Sequence, residues 1–393
     1  MIWSRITESN DTGTIRCCWI LLTKARFRTG KGIFARISCN ALSIAFIQPP
    51  MVWTSLLIKR HKMSLGNITL IGAGGAGINS VRGWDINLPE NAELKAAIGN
   101  TVKVCYVDTS VDANLVGDEP AENVYVAEGI EGAGKIRRDS HVAFTNENAT
   151  RQIIQRFNPN GLIVVVFSAS GGSGNTIGAA LMEELLGMGE RVVGLVIGSS
   201  ENALSMKNTL DSIKTLDVKA RKAGKPFVIH YEDNRDNSDR EAVDEAIKAN
   251  IAALVVLAGP QIRELDRTDV LNWLRFDRVP GINVAPQLCI LDIVTEGHAL
   301  SDVADPISVA SIISNPSETL SGVMPDYSTV GYHPADGVVR KSYHYAISVD
   351  AVPRLAAQLA EDMAEVEKRR AARKQNQSIS TKDDNVTDDG MVF

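Results

Sequence analysis

The sequence lacks the features of a membrane protein, a metalloprotein or a secreted protein. No apolar run approaches the roughly eighteen residues that a membrane span requires. No group of His, Cys and Asp has the spacing of a metal site, and no Ser–His–Asp order stands out. Only two of the five cysteines, Cys105 and Cys289, follow residue 62, and both lie inside apolar runs. They are typical of reduced core thiols in a cytosolic protein.

Charge is distributed unevenly along the chain. Residues 1–62 hold ten Lys and Arg against two Asp and Glu, although the whole chain carries a net charge of -6. The acidic remainder argues against general nucleic-acid binding. The basic segment has no clean apolar core or cleavage site, so secretion is not expected. We interpret residues 1–62 as a non-native or disordered leader and Met63 as the natural start. The alternative is a flexible basic arm that contacts nucleic acid.

Strand and helix patterns alternate from residue 67, as in a doubly wound α/β sheet. Most strand candidates are continuous apolar runs, which is expected of strands covered on both faces. These candidates are Asn67–Ile71, Val102–Val107, Val124–Ala127, Leu162–Phe167, Val192–Ile197 and Phe227–Tyr231.

The second half of the chain has a different composition and a different pattern of predicted elements. Ser238–Leu257 predicts a long helix that begins with a capping box of Ser238 and Glu241. Residues 302–336 are rich in Pro and Gly and are predicted to be loops. The other predicted elements are strands at Gln287–Val294 and Ser342–Val349, a last helix at Val352–Lys374 and an acidic, polar tail.

Two glycine-rich loops each lie between a predicted strand and a helix. The first is Gly72–Gly77, and the second is Ser168–Thr176. Such a loop presents backbone N–H groups to an anion, and the following helix adds partial positive charge. Two of them around one parallel sheet predict a nucleotide whose phosphates are held from two sides.

Other nucleotide-binding motifs fit less well. Gly72, Gly74 and Gly77 satisfy the dinucleotide fingerprint, so a nicotinamide dehydrogenase is an alternative. However, Asp108 lies further from the last glycine than that motif requires, and a dehydrogenase needs no second phosphate loop. Gly129–Ile136 nearly matches a Walker loop, but Ile136 stands where a Ser or Thr must ligate magnesium, which excludes a P-loop enzyme.

Two acidic features have a functional and a structural interpretation. Asp266 and Asp269 share one face of a helix, where they are either a capped, solvated first turn or functional carboxylates. The tail is either a solubilising end or a docking segment, because Met391–Phe393 closes it with apolar residues. His230 lies between Ile229 and Tyr231, and these apolar neighbours indicate a histidine at the edge of the core rather than a ligand-binding residue.

From residue 63 onward the chain resembles the tubulin superfamily of GTPases, and within it the tubulins of large nucleus-forming bacteriophages. The second glycine loop is similar to the tubulin signature loop, and the other family loops follow in order. The segment Asp269–Phe276 and the acidic ending are similar to the phage subgroup. The resemblance implies a tubulin-like α/β fold with a doubly wound nucleotide-binding sheet, a long central helix, a smaller C-terminal α/β domain and an extended tail.

The resemblance also implies residue roles. Phosphates would be approached by both glycine loops and sensed by Ala133, Gly134 and Lys135, whereas Glu201 would hold ribose hydroxyls and Asp244 would read guanine. His230 stands at a probable base-contact position where the family often has Asn. The implied nucleotide contacts are Gly72, Ala73, Gly74, Gly75, Gly77, Asn79, Asp108, Ala133, Gly134, Lys135, Gly171, Gly172, Ser173, Gly174, Asn175, Glu201, Asn208, His230 and Asp244.

The implied mechanism needs two copies of the chain. Asp266 and Asp269 of one copy would act on GTP bound by the next, with Mg²⁺ balancing the phosphate charge. The copies would form a head-to-tail filament in which the tail Asp383–Phe393 docks on a neighbour. No direct nucleic-acid or membrane partner is implied. The filament would position replicating phage DNA in the host bacterial cytoplasm.

The alternatives are a plasmid-segregating tubulin, a non-catalytic tubulin paralogue and the dehydrogenase. The implied domains are a GTP-binding domain, a central helix, a C-terminal activation domain, a C-terminal helix and a polymerisation tail. In the same order their bounds are 63–237, 238–262, 263–350, 351–376 and 377–393.

Overall fold

The structure is a computed structural model with two compact units, Met1–Lys59 and Arg60–Phe393. In the first unit, β1 (Ile2–Ser9) and β2 (Ile15–Leu22) form an antiparallel hairpin, with Ile2 opposite Leu22. β-Branched and aromatic residues in both strands favour the pairing. The structure describes residues 2–9, 15–22, 67–88, 91–92, 101–110, 115, 117–127, 148–235, 240–259, 264–295, 305–314, 324–333 and 341–375.

The second unit alternates strands and helices as the sequence predicts. Its strands are β3 (Ile68–Ala73), β4 (Val102–Asp108), β5 (Val124–Val126), β6 (Leu162–Ser168), β7 (Arg191–Ser199), β8 (Phe227–Asn234), β9 (Leu288–Thr295), β10 (Ser308–Ile313), β11 (Tyr327–Tyr332) and β12 (Tyr343–Ser348). Its α-helices are α1 (Gly74–Arg82), α2 (Ala149–Phe157), α3 (Ser173–Gly187), α4 (Ala203–Ala223), α5 (Arg240–Ala258), α6 (Arg267–Leu274) and α7 (Ala351–Gln375). Ser238, the predicted start of the long helix, lies outside the described residues.

The described strands of this unit form one sheet in the order β11-β10-β12-β9-β8-β7-β6-β3-β4-β5. The pairs from β5 to β9 are parallel, whereas β12 runs antiparallel to both β9 and β10. β3 lies between β4 and β6, so the chain winds outward from it in both directions. In sheets of this kind a ligand binds at the carboxyl ends of the strands, at this switch point.

Helices cover both faces of the sheet and enclose two cores. One core packs α1, α5 and α6 against the sheet through residues such as Ile78, Ile247 and Trp273. The other packs α2, α3, α4 and α7 on the opposite face, with Phe157 and Leu216 fully buried. This arrangement confirms the doubly wound α/β fold predicted from the apolar strands.

Part of the 302–336 prediction was wrong. β10 and β11 lie within this stretch and pair in parallel. β10 is fully buried, but it contains two serines and follows Asp305 and Pro306, so its local composition resembles that of a loop. Pairing with β12, far along the chain, supplies the stabilisation that the local sequence does not show.

A buried aromatic junction ties the long helix α5 to the C-terminal strands. The Trp273 indole N–H donates to the Tyr345 carbonyl at 3.0 Å, and the Tyr345 hydroxyl donates to the carbonyl of Ala253 in α5 at 2.6 Å. The two rings meet edge to face, with centroids 5.9 Å apart. Burial raises the pKa of Tyr345 well above its ordinary value, so the phenol remains a donor. Within the described residues, no helix has the length and apolar character needed to cross a membrane.

Candidate functional site

The two predicted glycine loops touch each other at the switch point of the sheet. Gly74 has φ +68°, a left-handed conformation that favours glycine, and a Cβ there would lie 2.9 Å from the backbone nitrogen of Gly174. A Cβ on Gly174 would lie 2.8 Å from the Ala73 carbonyl oxygen. Glycine is therefore needed on both sides for the two backbones to approach.

Gly72 and Gly77 have a packing role and lie outside the cleft lining. A Cβ on Gly77 would be 2.1 Å from the Val166 carbonyl oxygen, and one on Gly72 would be 2.7 Å from the Gly77 carbonyl oxygen. Both glycines therefore let α1 lie close against β3 and β6. The residues of the first loop that line the cleft are instead Ala73, Gly74, Gly75 and Ala76.

The second loop is held from behind by two buried amides. The Asn175 amide donates to the Ala169 carbonyl at 3.2 Å and to the Gly171 carbonyl at 2.7 Å. The Asn208 amide donates to the Ser170 carbonyl at 3.1 Å. Neither amide lines the cleft, so both shape the loop. α3 begins at Ser173 without a side-chain cap, which leaves its first N–H groups for an anion.

Both loops open onto a cleft of about 450 Å³. The predicted contacts that line it are Ala73, Gly74, Gly75, Asn79, Gly171, Gly172, Ser173, Gly174, Glu201 and Asp244. Ser170 of the second loop lines it as well. Ala76 and Ser168, which belong to the two predicted loops, also line it. The lining residues that the sequence analysis missed are Ile197, Ser199, Asn234 and Arg240.

Asn234, rather than His230, lines the cleft. Asn234 ends β8, and its side-chain oxygen is buried without a hydrogen-bond partner among the described residues. His230 lies four residues earlier and outside the lining, with Nδ1 2.9 Å from the Leu291 carbonyl and Nε2 2.8 Å from the Asn250 amide. The core-edge interpretation of His230 therefore fits its surroundings. Asn234 could have been found as a polar residue at the carboxyl end of a parallel strand.

An ion pair crosses one side of the cleft. The Arg240 guanidinium donates from Nε to Glu201 Oε1 at 2.6 Å and from Nη2 to Oε2 at 2.8 Å. Asp244 follows one helical turn after Arg240 on α5. Burial raises the pKa of Asp244, and Lys248 partly offsets this effect. Three charged side chains, those of Glu201, Arg240 and Asp244, thus line the cleft in addition to the two glycine loops.

Asp108 is buried at the end of β4, beside the cleft but outside its lining. Its Oδ1 accepts from the Thr109 backbone N–H at 2.7 Å and from the Ser173 hydroxyl at 3.4 Å. The carboxylate therefore ties the end of β4 to the start of α3. Thr109 Oγ1 is also buried and lacks a partner within the described residues.

Asp266 and Asp269 form a reciprocal cap at the start of α6. Asp266 Oδ1 accepts from the backbone N–H groups of Thr268 and Asp269, at 2.6 and 3.0 Å. Asp269 Oδ2 accepts from the Asp266 N–H at 3.0 Å. The two aspartates therefore cap α6, as the structural interpretation predicts. The caps use only one oxygen of each carboxylate.

These two aspartates lie at the other end of the sheet from the cleft. The helix α6 packs against β7. Burial, and then the positive charge of Arg267 in α6, lower the pKa of Arg191 at the start of β7 to about 10. Ser199 ends β7 and lines the cleft. A nine-residue strand spans about 26 Å. One copy of the chain therefore keeps its acids far from its own cleft.

Several predicted residues lie outside the described residues: Ala133, Gly134, Lys135 and the tail Asp383–Phe393. The described residues contain no group of three or more His, Cys, Asp or Glu that could hold a metal.

Comparison with known sequences gives one consistent result. Residues 265–350 match the family model described as "Phage tubulin-like protein, C-terminal domain". The chain is 30% identical over 289 residues to the phage tubulin-like protein of Pseudomonas phage PhiPA3, which covers 73% of this chain and 90% of that protein.

Solved structures agree with the sequence comparison. The protofilament of TubZ from bacteriophage PhiKZ matches with a TM-score of 0.69 and 26% identity, over 83% of this chain and 99% of that one. The phage tubulin PhuZ in its GDP form matches with a TM-score of 0.68 and 26% identity, over the same shares of the two chains.

Proposed function

Because the chain belongs to the phage tubulin-like proteins, we propose that it is a GTPase whose copies assemble head to tail and hydrolyse GTP where two copies meet. Membership in this family also removes the reason to assign the first glycine loop to a dehydrogenase. The observation that carries the proposal is the distance between the cleft and the Asp266–Asp269 pair within one chain. Stacking copies along that direction brings the acids of one against the cleft of the next.

The cleft has the size and chemistry for a guanine nucleotide. Its volume of about 450 Å³ falls in the usual range for small-ligand sites. The glycine loops and the start of α3 suit phosphates, because they offer N–H groups at close approach. At the other end, the unpartnered Asn234 oxygen and the Asp244 carboxylate are acceptors for N–H donors of a guanine base or for ribose hydroxyls. The solved GDP form of the PhuZ relative supports the same ligand class.

None of the glycine-loop residues that line the cleft is a carboxylate, which suits magnesium bound mainly by phosphate oxygens and water. Asp108 and Thr109, beside the start of α3, would be candidates to hold such an ion or its waters. When bound, the ion would neutralise charge on the phosphates during hydrolysis.

Asp266 and Asp269 are proposed to act on the nucleotide of the neighbouring copy. The caps hold both carboxylates in place at the exposed start of α6, while each keeps a second oxygen that the caps do not use. Such an oxygen can orient and polarise a water molecule for attack on the γ-phosphate. Hydrolysis would then follow assembly, and loss of the γ-phosphate would weaken the contact.

The contact between unlike ends does not close on itself, so repetition gives a filament. Solved relatives form a protofilament and a filament. We assign the tail Asp383–Phe393 to docking on the next copy, with Asp388, Asp389, Met391 and Phe393 as its contacts. In the host cytoplasm, such filaments would position replicating phage DNA, a role that rests on the family resemblance alone.

Light scattering tests the proposal. With GTP, scattering should rise only above a critical protein concentration and should decline as GTP is consumed. Deleting Asp383–Phe393 should raise that concentration. Flat traces across a wide range of protein concentrations would contradict filament formation, and an unchanged critical concentration would leave the tail as a solubilising end.

A further inference from the structure

Arg267 is an exposed arginine between the two aspartates that cap α6. It is the first residue of the helix, directly after Asp266 and two residues before Asp269. The reciprocal caps fix the backbone on both sides of it. Neither aspartate forms an ion pair with it, and its side chain has no hydrogen-bond partner among the residues that the structure describes. A free guanidinium is thus presented from a defined place in the fold.

The position of Arg267 is electrostatically unfavourable in a single copy. A helix start carries partial positive charge and is stabilised by acidic rather than basic side chains. A second positive charge acts on the same place, since Arg267 contributes, after burial, to the lowered pKa of Arg191. Arg191 is buried, and its Nε and Nη2 donate to the neutral carbonyl of Gly161, at 3.1 and 2.9 Å. The stability of one chain therefore does not explain why a basic residue starts α6.

Assembly would supply the negative charge that Arg267 lacks. In the proposed contact, the start of α6 meets the cleft of the next copy, where the phosphates of GTP would lie. Two carboxylates that approach a triphosphate are repelled by it, because all of these groups are negative. An arginine between the two carboxylates offsets part of this repulsion. Its guanidinium also matches the geometry of phosphate oxygens, to which it can donate two parallel hydrogen bonds.

We propose that Arg267 of one copy binds the terminal phosphate of the nucleotide held by the next copy, and that it offsets the repulsion between that phosphate and Asp266 and Asp269. This inference rests on the proposed function, because it requires GTP at a contact between unlike ends. It assigns Arg267 to assembly, whereas the two aspartates act on water. The strength of the contact then depends on the γ-phosphate through a named positive charge.

Light scattering of the full chain with GMPCPP, a slowly hydrolysed GTP analogue, tests the inference. Arg267→Ala should raise the critical concentration about tenfold, as expected for the loss of one charge-assisted hydrogen-bonding group. Added salt should reduce the difference from the wild type, because it screens the charges. Arg267→Lys should raise the critical concentration less, because it keeps the charge but loses the two-bond geometry.

The stability of the single chain separates this role from a structural one. Below the critical concentration and without nucleotide, Arg267→Ala should unfold at the wild-type temperature or slightly above it. The reason is that the substitution removes a positive charge from a helix start, where such a charge is unfavourable. A lower unfolding temperature would assign Arg267 to folding and overturn the inference.

Asp266→Asn tests whether charge compensation is the reason for the effect. The asparagine keeps an oxygen for the cap of α6 and removes one negative charge. Added to Arg267→Ala, it should return the critical concentration towards the wild-type value. Arg278→Ala is the matched control, because it removes another exposed arginine that has no ion pair within the described residues and that follows the other end of α6. It should leave the critical concentration unchanged.

Different outcomes overturn different claims. An Arg267→Ala protein that assembles at the wild-type critical concentration would overturn the role of Arg267 alone. A double variant that assembles no better than Arg267→Ala would do the same. A wild-type protein that does not assemble with GMPCPP at any concentration would overturn the proposed function and this inference with it.

Discussion

The end of the sheet where β3, β6 and β7 finish differs in construction from the end where β7 starts. The first is built largely from backbone, with Gly74 and Gly174 in direct contact and an uncapped helix start facing a cleft. The second presents charged side chains, with Asp266 and Asp269 fixed by their own helix. One end is suited to holding phosphates and the other to acting on water. Under the proposed function, the difference means that a single copy would contain both parts of a hydrolytic site without being able to join them.

Asp269→Asn should give the largest difference between the functions of the two ends of the sheet. The asparagine keeps an oxygen for the cap but removes the charge, so the fold and the cleft should persist. GTP turnover should fall about a hundredfold or more, as for loss of a group that positions or activates the attacking water, whereas GDP affinity should not change. Phosphate release and GDP titration measure the two effects. Asp211→Asn on α4 is the matched control and should behave like the wild type.

The same variant also tests whether the site is shared between copies. Mixed with a variant whose cleft is damaged, such as Gly174→Ala, it should regain turnover, because each protein supplies the end that the other lacks. A mixture that stays as inactive as its components would contradict a shared site. Turnover near the wild-type value in Asp269→Asn alone would contradict the role of the acid.

Gly174→Ala and Gly187→Ala place the same methyl group at opposite ends of α3. At Gly174 the methyl would meet the Ala73 carbonyl oxygen at 2.8 Å, whereas at Gly187 it meets nothing within 4 Å. Overpacking of about 2 kcal/mol should weaken GDP binding by the first variant roughly thirtyfold. The second should bind normally and gain up to about 1 kcal/mol in free energy of unfolding. Equal GDP affinities, measured by titration, would mean that close contact of the loops is not required.

Asp244→Asn tests how the cleft reads the base. A carboxylate accepts from both N–H donors of guanine, so we expect GDP affinity to fall about tenfold in the variant. Xanthine has a carbonyl in place of the guanine amino group, so xanthosine diphosphate should gain relative to GDP. A competition titration with the two nucleotides measures this preference. Glu245→Gln, on the next residue, should keep the preference for GDP.

The raised pKa of Asp244 adds a pH dependence. GDP affinity should fall on acidification at a higher pH than an aspartate with the ordinary pKa of about 3.9 would produce. In the absence of nucleotide, the stability of the fold changes with pH in the opposite direction. The folded state favours the protonated acid, so the free energy of unfolding rises as the pH falls through the raised pKa. Asp244→Asn should remove both effects. If the affinity of Asp244→Asn for GDP still falls on acidification, the pH dependence belongs to another titrating group.

The sequence predicted the glycine-loop part of the cleft because its signals are local. Glycines that follow an apolar strand mark a loop whether or not the rest of the fold is known. The sequence could not distinguish Gly72 from Gly74, because only contacts with β6 and α3 separate the packing glycine from the lining one.

The nucleoside end was harder to predict. β8 ends in polar residues that do not look like a strand, so Asn234 appeared to lie beyond it. Arg240 is the first residue of α5 and belongs to no motif in the sequence. Its partner Glu201 lies 39 residues earlier, and only the parallel pairing of β7 with β8 brings the two segments together.

The long helix α5 gives the proposed filament a fixed spacing. It runs uninterrupted for 19 residues, about 28 Å. Arg240 and Asp244 stand at its cleft end, and Tyr345 clamps its far end through Ala253. In the proposed filament, a rod of constant length would separate the nucleotide held by one copy from the acids offered to the next. The axial repeat of the polymer would then be set within each molecule, before any two copies meet.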